Sequence, residues 1–476
     1  MRVAIRLLTL ILLTIALICL NGCDDGDDED TTIPRYIPSD DDDDDNGIGD
    51  NDDDTSPDDD TTPDDDTTPD DDTDIDDDTD DDDTTEPTTT TTTTPDTTTT
   101  TPDTTTTTVE TTTTTTTINE LTTEIIDEST QTHSAGGRVS YKIDGDGDGH
   151  VVYFSGDGGY DREMSIVYRK EDAKGWSEAE AIVNLGSDYF DVTDRETKIS
   201  MAFDGSGYVH VAYFDFNTKK LGYATNMGGS WQILSPNLPD MVGLYPTLAI
   251  GPDGKAQIAS MKYKDESSVE LGVYYISFDG STWTNEQTWE YPMYEPGLIL
   301  DPSGIPHISA GGDPLGYGTL SGDTWNLSEL FVDDHFFAHM TSLAMDDGGG
   351  VHISCFVDYN AKLETKFMYA TDSGGQWEYE MIDDSDITYS HPYNDIAVAS
   401  DSSAHIAYFY TYSPRQLKYA SNKSGTWENT TVDQRDDTWT CGGDPSIAIH
   451  PDGMVHVLYI CKGLKRAIFP QGYAGQ

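Results

Sequence analysis

The residues best suited to ligand chemistry lie in polar links between repeated hairpin patterns. Aromatic, basic and imidazole side chains recur in these links: Tyr189, Arg195, Tyr291, Tyr294, His335, His339, Tyr389, His391, Arg435 and Trp439. Aromatic and charged groups together suit the recognition of sugars or cationic peptide segments, and loops on a rigid scaffold are where binding usually resides. These ten residues form the predicted ligand-binding set. The alternative is that the links are solvated loops without a ligand.

One histidine recurs in almost every hairpin pattern. The recurring position is occupied by His150, His210, Gln257, His307, His352, His405 and His456. Alternation along the strand places His210 on the face shared with Ala212 and Phe214, which would pack against a neighbouring repeat. A neutral imidazole there can satisfy buried polar groups. Because these histidines lie one repeat apart, they cannot share one metal, and no metal site is predicted.

The run Asp144, Asp146 and Asp148 resembles the start of a calcium-binding loop. Ser155 stands at the twelfth loop position, where a calcium loop of this kind requires an acidic side chain. The run also aligns with the Asp-x-x-Gly turn of the other hairpins. Weak calcium binding is the one cofactor that the sequence suggests.

Three cysteines lie in the repeat region. Pairing the segment 446–449 with 455–459 as a hairpin brings Cys441 and Cys461 towards each other, so these two are the candidate disulfide. Cys355, inside an alternating strand, is predicted to be a buried thiol.

The elements that position these residues follow one template, residues 200–215 (SMAFDGSGYVHVAYFD). Its parts recur six more times at intervals of about fifty residues. Two alternating apolar runs joined by a tight turn indicate a β-hairpin, a third strand follows, and a fourth opens with tryptophan. Repeats of this length with four strands each are typical of a β-propeller, so the predicted fold class is all-β.

The number of blades depends on how the ring closes. The sequence contains seven hairpin patterns but six tryptophans that open a fourth strand: Trp176, Trp231, Trp283, Trp325, Trp377 and Trp427. Residues 119–127 align with 376–384 and place Leu121 where Trp377 stands. This N-terminal strand is therefore predicted to complete the last blade within a propeller domain of residues 118–476. Seven blades are predicted, with six as the alternative.

The turn before the fourth strand resembles the Asp-box of bacterial sialidase-like propellers. SFDGSTW (277–283) carries the resemblance, although it is one residue shorter than the family pattern. Sialidase activity would imply three arginines converging on a carboxylate and a Tyr/Glu pair. None of the seven arginines of the domain lies in the family's arginine motif, so catalytic residues stay unassigned and an enzyme is the less favoured interpretation.

The N-terminus carries an export signal. A basic start precedes an apolar run that is too short to span a bilayer, which favours a signal peptide over residues 1–22. Leu20, Gly22 and Cys23 are similar to the lipobox of bacterial lipoproteins. This resemblance implies lipidation of Cys23 and a membrane-anchored, extracytoplasmic location, at the outer membrane and cell surface or at the periplasmic face. The alternative is ordinary cleavage with a free cysteine.

Residues 23–117 are predicted to form a disordered stalk rich in Asp, Thr and Pro. Residues 24–117 hold 37 acidic side chains and one basic one, and residues 118–476 hold 53 acidic and 22 basic side chains. Such a chain buries too little apolar surface to fold, and its charges repel each other. The charge also excludes nucleic acid and anionic membrane surfaces as partners.

The sequence thus favours a lipid-anchored monomer that displays a β-propeller as a binding or adhesion module for glycan or protein ligands. The alternative function is a secreted glycan-active hydrolase or lyase of the sialidase-like propeller type.

Overall fold

The computed structural model describes thirteen segments, and every structural statement below concerns these segments. They are residues 120–128, 138–156, 164–186, 198–215, 217–239, 241–262, 272–289, 293–331, 336–359, 364–387, 393–410, 415–435 and 443–473. The predicted signal peptide, the lipobox and the stalk lie outside them. Within these ranges, no helix has the length and hydrophobicity that a membrane crossing requires.

The strands form seven small antiparallel sheets, which we number as blades 1 to 7 in chain order of their hairpins. Strand β1 (Thr122–Asp127) comes first in the chain and belongs to blade 7. Blade 1 contains β2 (Val139–Ile143), β3 (Gly149–Gly156), β4 (Met164–Asp172), β5 (Gly175–Trp176) and β6 (Glu180–Gly186). Blade 2 contains β7 (Ile199–Phe203), β8 (Val209–Asp215), β9 (Lys220–Thr225) and β10 (Gln232–Leu234). Blade 3 contains β11 (Val242–Ile250), β12 (Ala256–Lys262), β13 (Gly272–Phe278) and β14 (Trp283–Gln287).

The remaining blades repeat the same order. Blade 4 contains β15 (Tyr294–Leu300), β16 (Pro306–Gly311), β17 (Leu315–Ser321) and β18 (Thr324–Leu330). Blade 5 contains β19 (Phe336–Met345), β20 (Val351–Tyr359), β21 (Glu364–Thr371) and β22 (Glu378–Ile387). Blade 6 contains β23 (Asn394–Val398), β24 (Ala404–Tyr410), β25 (Arg415–Ser421) and β26 (Glu428–Arg435). Blade 7 contains β27 (Gly443–Ile449), β28 (Val455–Ile460), β29 (Leu464–Phe469) and β1.

The seven sheets form a ring, so the fold is the predicted seven-bladed β-propeller. The first strand of each blade contacts the first strands of both neighbours, and β27 contacts β2, which closes the circle. These seven inner strands surround the central channel. The alternative of six blades is wrong, because β1 supplies an outer strand to the seventh sheet.

Strand β1 pairs with β29 in an antiparallel register, with Thr122 opposite Ile468 and Glu124 opposite Arg466. It joins the two ends of the propeller chain within one sheet. Leu121, just before β1, packs on the cluster around Tyr419 of blade 6. In other blades a tryptophan occupies the position equivalent to Leu121. Trp427, for example, packs edge-on against the Tyr369 ring, with 4.9 Å between the ring centres.

In blades 1, 2, 4 and 5 the first residue of the hairpin turn is an aspartate that organises the turn. In blade 2 the Asp204 carboxylate accepts hydrogen bonds from the backbone nitrogens of Ser206 (2.8 Å) and Tyr208 (2.9 Å). Gly207 has a φ of 81°, which an L-residue adopts only with strain. The sequence pattern therefore fixes a tight turn that starts the second strand five residues after the aspartate.

The recurring histidine joins this turn to the third strand. His150 is buried, its Nε2 lies 3.0 Å from the Asp144 carboxylate, and its Nδ1 lies 2.7 Å from the Tyr168 hydroxyl. His210, His307, His352 and His405 contact a third-strand tyrosine in the same way. The histidines are thus structural groups of separate blades.

Candidate active or binding site at the channel mouth

The inner strands bring one equivalent residue from every blade to the same end of the channel. Each of these residues lies six positions before the first residue of the hairpin turn. The seven are Arg138, Lys198, Tyr245, Glu295, Met340, Tyr393 and Asp444, and we call them the mouth ring. All of them except Arg138 line one cavity. Residues about fifty positions apart in sequence therefore meet on a common axis.

Four members of the mouth ring adopt a backbone conformation that is unusual for their residue type. Tyr245, Glu295, Met340 and Asp444 have φ values of 48°, 46°, 50° and 48°. Each lies where the pairing register of its strand shifts. A left-handed non-glycine residue costs about 1–3 kcal/mol and is typical of functional sites, as bulges are. The same strain at four equivalent positions indicates that these bulges set the direction of the ring side chains.

A layer of short polar side chains holds the ring from below. Ser140 accepts a hydrogen bond from Met201 N (3.0 Å), and Ser200 accepts one from Leu248 N (3.0 Å). Asp395 accepts hydrogen bonds from Ser342, Ser446 and Ile447 N at 2.9–3.2 Å. These bonds tie neighbouring inner strands together, so the ring stands on a rigid base.

Arg138 is the most confined charged group of the ring. Its side chain is fully buried, and its guanidinium carbon lies 4.1 Å from the centre of the Tyr393 ring. One nitrogen lies 4.0 Å from the Asp444 carboxylate, which is too long for a hydrogen bond. Among the described residues, none accepts a hydrogen bond of normal geometry from its three nitrogens.

Two carboxyl groups complete the charged part of the ring. Glu295 accepts a hydrogen bond from Met340 N at 2.6 Å, and burial raises its pKa against the opposing effects of His339 and Arg138. Burial also raises the pKa of Asp444, although Arg138 and Lys198 oppose the shift. Both carboxyl groups therefore accept a proton more readily than exposed ones do.

The cavity between these residues is small. Its volume is ≈ 20 Å³, about enough for one water-sized group. Tyr393 is nearly buried, and desolvation raises its pKa to about 12, so its hydroxyl stays protonated near neutral pH. The cavity therefore holds about one water-sized group among residues that carry hydroxyl, carboxyl and ammonium groups.

Two of the predicted ligand-binding residues lie beside this ring. Tyr294 directly precedes Glu295, and its ring centre lies 5.5 Å from that of Phe337. His339 directly precedes Met340, and its Nε2 lies 3.3 Å from the Asp358 carboxylate. Arg435 ends β26, and its side chain is not described. The other predicted residues lie outside the described segments: Tyr189, Arg195, Tyr291, His335, Tyr389, His391 and Trp439.

The candidate calcium run is held by protein groups. Asp144 accepts backbone hydrogen bonds from Asp146 (3.0 Å) and Asp148 (2.9 Å), and Lys170 Nζ lies 2.8 Å from the Asp148 carboxylate. Within the described segments, no three His, Cys, Asp or Glu side chains are grouped to hold a metal ion.

The described cysteines are both buried. Cys355 is a free thiol whose pKa is raised by burial, and Cys461 is disulfide-bonded. Cys441 lies outside the described segments, so its pairing with Cys461 stays a prediction.

Comparison with known proteins supports the fold. No protein-family model matches the sequence, and no curated protein matches it either. The chain is similar in structure to an ulvan lyase, a polysaccharide lyase solved with a bound -[GlcA(1-4)Rha3S]- saccharide, with a TM-score of 0.50 and 12% identity over 72% of this chain and 94% of that one. An α-L-arabinanase of Penicillium chrysogenum gives a TM-score of 0.42 at 12% identity, over 59% of this chain and 94% of that one. A microbial sialidase named Hadza Hz136 gives a TM-score of 0.39 at 12% identity, over 66% of this chain and 74% of that one.

Proposed function

We propose that this chain is an extracytoplasmic, membrane-anchored lipoprotein that displays its propeller as a binding module, with the channel mouth as the ligand site. Glycan ligands fit this site better than protein ligands, because the residues that line the small cavity carry hydroxyl, carboxyl, amide and ammonium groups. The observation that carries the proposal is the convergence of the mouth ring, in which four of seven blades hold a strained residue at the equivalent position.

A glycan-active hydrolase or lyase is the second candidate. It is favoured by Glu295 and Asp444, two buried carboxyl groups with raised pKa values at one site, because such groups can act as general acids. The structural similarity to the ulvan lyase gives a further reason to test glycan cleavage.

A glycan array followed by a polysaccharide panel separates the two candidates. Binding without product release supports the binding module. New reducing ends indicate a hydrolase, and unsaturated products that absorb in the ultraviolet indicate a lyase. If the full chain neither binds nor cleaves any glycan, the proposed function is wrong.

A further inference from the structure

A cavity of ≈ 570 Å³ lies on the turn side of the propeller, between blades 3 and 4, and we call it the turn-side cavity. The residues that line it include Asp253, Asp301, His307, Thr319 and Ser321. Its volume falls within the range of small-ligand pockets. Because the hairpin turns follow the inner strands, this cavity lies at the opposite end of those strands from the mouth ring.

The turn aspartate of blade 4 uses only one of its two carboxylate oxygens. Asp301 Oδ1 accepts hydrogen bonds from Ser303 N (2.9 Å) and Ile305 N (2.8 Å), whereas no group of the described segments bonds to Oδ2. In blades 1, 2 and 5 the recurring histidine lies 3.0–3.5 Å from the equivalent Oδ2. His307 instead lines the cavity, and burial lowers the pKa of its imidazole, so near neutral pH it does not neutralise Asp301.

Two other blades show which kind of group such a turn carboxylate binds. In blade 1 the ammonium of Lys170, on the third strand, lies 3.3 Å from Asp144 Oδ2. In blade 6 the ammonium of Lys423, just after the third strand, pairs with the turn residue Asp401. Both ion pairs are made within one blade, so the fold itself places an alkylammonium group on the turn carboxylate.

Blade 4 has no cation at the equivalent positions. The residue opposite the recurring histidine on the third strand is Lys170 in blade 1 and Thr319 in blade 4. Two residues further on, blade 6 has Lys423 and blade 4 has Ser321. Both side chains of blade 4 are short and uncharged. Blade 4 therefore brings no ammonium of its own to Asp301, and the turn-side cavity lies beside that carboxylate.

The charged groups that line the cavity favour a cation as its ligand. They are the carboxylates of Asp253 and Asp301 and the ammonium of Lys255. Lys255 lies 3.8 Å from Asp253 in the turn of blade 3, so it offsets that carboxylate and leaves Asp301 uncompensated. The charges that act on His307 are also acidic, namely Asp301 and Asp372. The excess of acidic over basic side chains in the whole chain attracts cations at longer range as well.

We infer that the turn-side cavity binds an alkylammonium group, supplied by a lysine side chain of a partner polypeptide. Asp301 Oδ2 accepts the hydrogen bond of the ammonium, as the turn carboxylate of blade 1 does, and the hydroxyls of Thr319 and Ser321 are further acceptors. Ile305, which is 40% exposed, gives the aliphatic stem of the lysine an apolar surface. A metal ion suits the cavity less well, because no three His, Cys, Asp or Glu side chains of the described segments are grouped to hold one. This site is independent of the glycan binding proposed for the channel mouth.

The test compares three ligands by nuclear magnetic resonance titration of the full chain carrying Cys23→Ala. They are a capped glycine pentapeptide with one central lysine, the same peptide with Nε-acetyl-lysine, and spermidine. The lysine peptide should bind at least roughly tenfold tighter than the acetylated one, since a hydrogen bond between charged groups is worth about that much. Equal binding of the two peptides, or no binding of any ligand, overturns the inference. Binding of spermidine alone overturns the assignment to a polypeptide in favour of a free polyamine.

Variants place the ammonium at Asp301. Asp301→Asn keeps an oxygen for the turn hydrogen bonds and removes the charge, so lysine-peptide affinity should fall roughly tenfold. Thr319→Lys supplies the internal ammonium that blade 1 has, and it should reduce the affinity at least as much. The matched control Asp346→Asn makes the same change in the turn of blade 5, where the Ser373 hydroxyl already donates to Oδ2 at 3.1 Å, and it should leave binding unchanged.

Thr319→Lys keeps the inference testable even if Asp301→Asn fails to fold, because it leaves the turn itself intact. Unchanged affinity for the lysine peptide in Thr319→Lys overturns the inference. An equal loss in Asp301→Asn and Asp346→Asn also overturns it, since the effect would then follow from the altered turn and not from the turn-side cavity.

Discussion

At the scale of single residues, the recurring histidine shows how one side chain serves the fold in six blades. His405 is buried, its Nδ1 lies 2.6 Å from the Tyr419 hydroxyl, and its Nε2 lies 3.1 Å from the Ser403 hydroxyl. Burial lowers its pKa to about 4, from the ordinary value of about 6.5. In blade 3 Gln257 replaces the imidazole, accepts a hydrogen bond from Tyr275 and donates one to the Gly304 carbonyl. A neutral amide can therefore do the same structural work.

The depressed histidine pKa values predict acid sensitivity. Between pH 4 and about 6.5 the His405 imidazole is protonated in the unfolded chain and neutral in the folded one. The free energy of unfolding is therefore highest above pH 6.5 and decreases as the pH falls towards 4. The lowered pKa of His405 alone should reduce the free energy of unfolding by on the order of 3 kcal/mol at low pH. Melting temperatures measured from pH 7 to pH 4 should fall less steeply for His405→Gln than for wild type. Gln257→His should fall more steeply, and parallel curves for all three proteins would contradict this account.

At the scale of elements, strand β1 determines how the ring closes. Its Asp127 carboxylate lies 3.0 Å from Arg169 and accepts a hydrogen bond from the Tyr153 hydroxyl, so β1 joins blade 7 to blade 1. Glu124 pairs with Arg466 at 2.6 Å. Ile125 in the same strand is 55% exposed, so the buried contacts of this segment come from Asp127, from Ile126 on the cluster around Tyr141, and from Leu121.

Removal of this strand should destabilise the propeller. A chain that begins at Ser129 loses the backbone pairs with β29 and the Asp127 partner of Arg169, and breaking this largely buried pair costs several kcal/mol. A chain that begins at Ile118 keeps β1 and should melt cooperatively at the temperature of the longer protein. Calorimetry of the two proteins is the measurement, and identical melting curves would show that closure does not depend on β1.

The sequence predicted these elements well because periodicity and turn chemistry are local signals. The Asp-x-x-Gly turn and the alternating strands gave the blade count, and the N-terminal strand was the piece missing from the last blade. The mouth ring was harder to predict. Tyr294, the neighbour of Glu295, belongs to the predicted ligand-binding set, whereas Arg138, Met340 and Asp444 carry no local motif. Their shared spacing of six residues before each turn is visible in the sequence, but left-handed bulges and burial decide that they converge, and these depend on tertiary packing.

At the scale of the whole molecule, the propeller is predicted to follow a lipid anchor and an acidic stalk. The propeller region has many more acidic than basic side chains, and its channel mouth combines Arg138 and Lys198 with Glu295 and Asp444. Because the acidic domain attracts anions only weakly at long range, selectivity at this site depends on local contacts. An anchored stalk would hold this site away from the membrane surface.

Anchoring makes a direct prediction about Cys23. Cells grown with an alkyne fatty acid should label the wild-type chain and leave Cys23→Ala unlabelled, because the lipobox cysteine is the expected acceptor. Cell fractionation should then move the variant from the membrane to the soluble fraction. Equal labelling of both proteins would remove the lipoprotein proposal and would leave the propeller and its channel mouth unaffected.

The central claim is that ligands bind at the channel mouth, and paired substitutions on the two faces of the propeller test it most directly. Glu295→Gln and Tyr393→Phe change the mouth ring, while Asp253→Asn changes a larger open cavity of ≈ 570 Å³ on the turn side of blades 3 and 4. The measurement is the dissociation constant of the tightest-binding glycan from the array, for variants whose melting temperatures match the wild type. We predict that the mouth variants lose roughly tenfold or more in affinity and that Asp253→Asn binds like wild type. Full affinity in both mouth variants, with loss in Asp253→Asn, would contradict the claim and place the site on the opposite face.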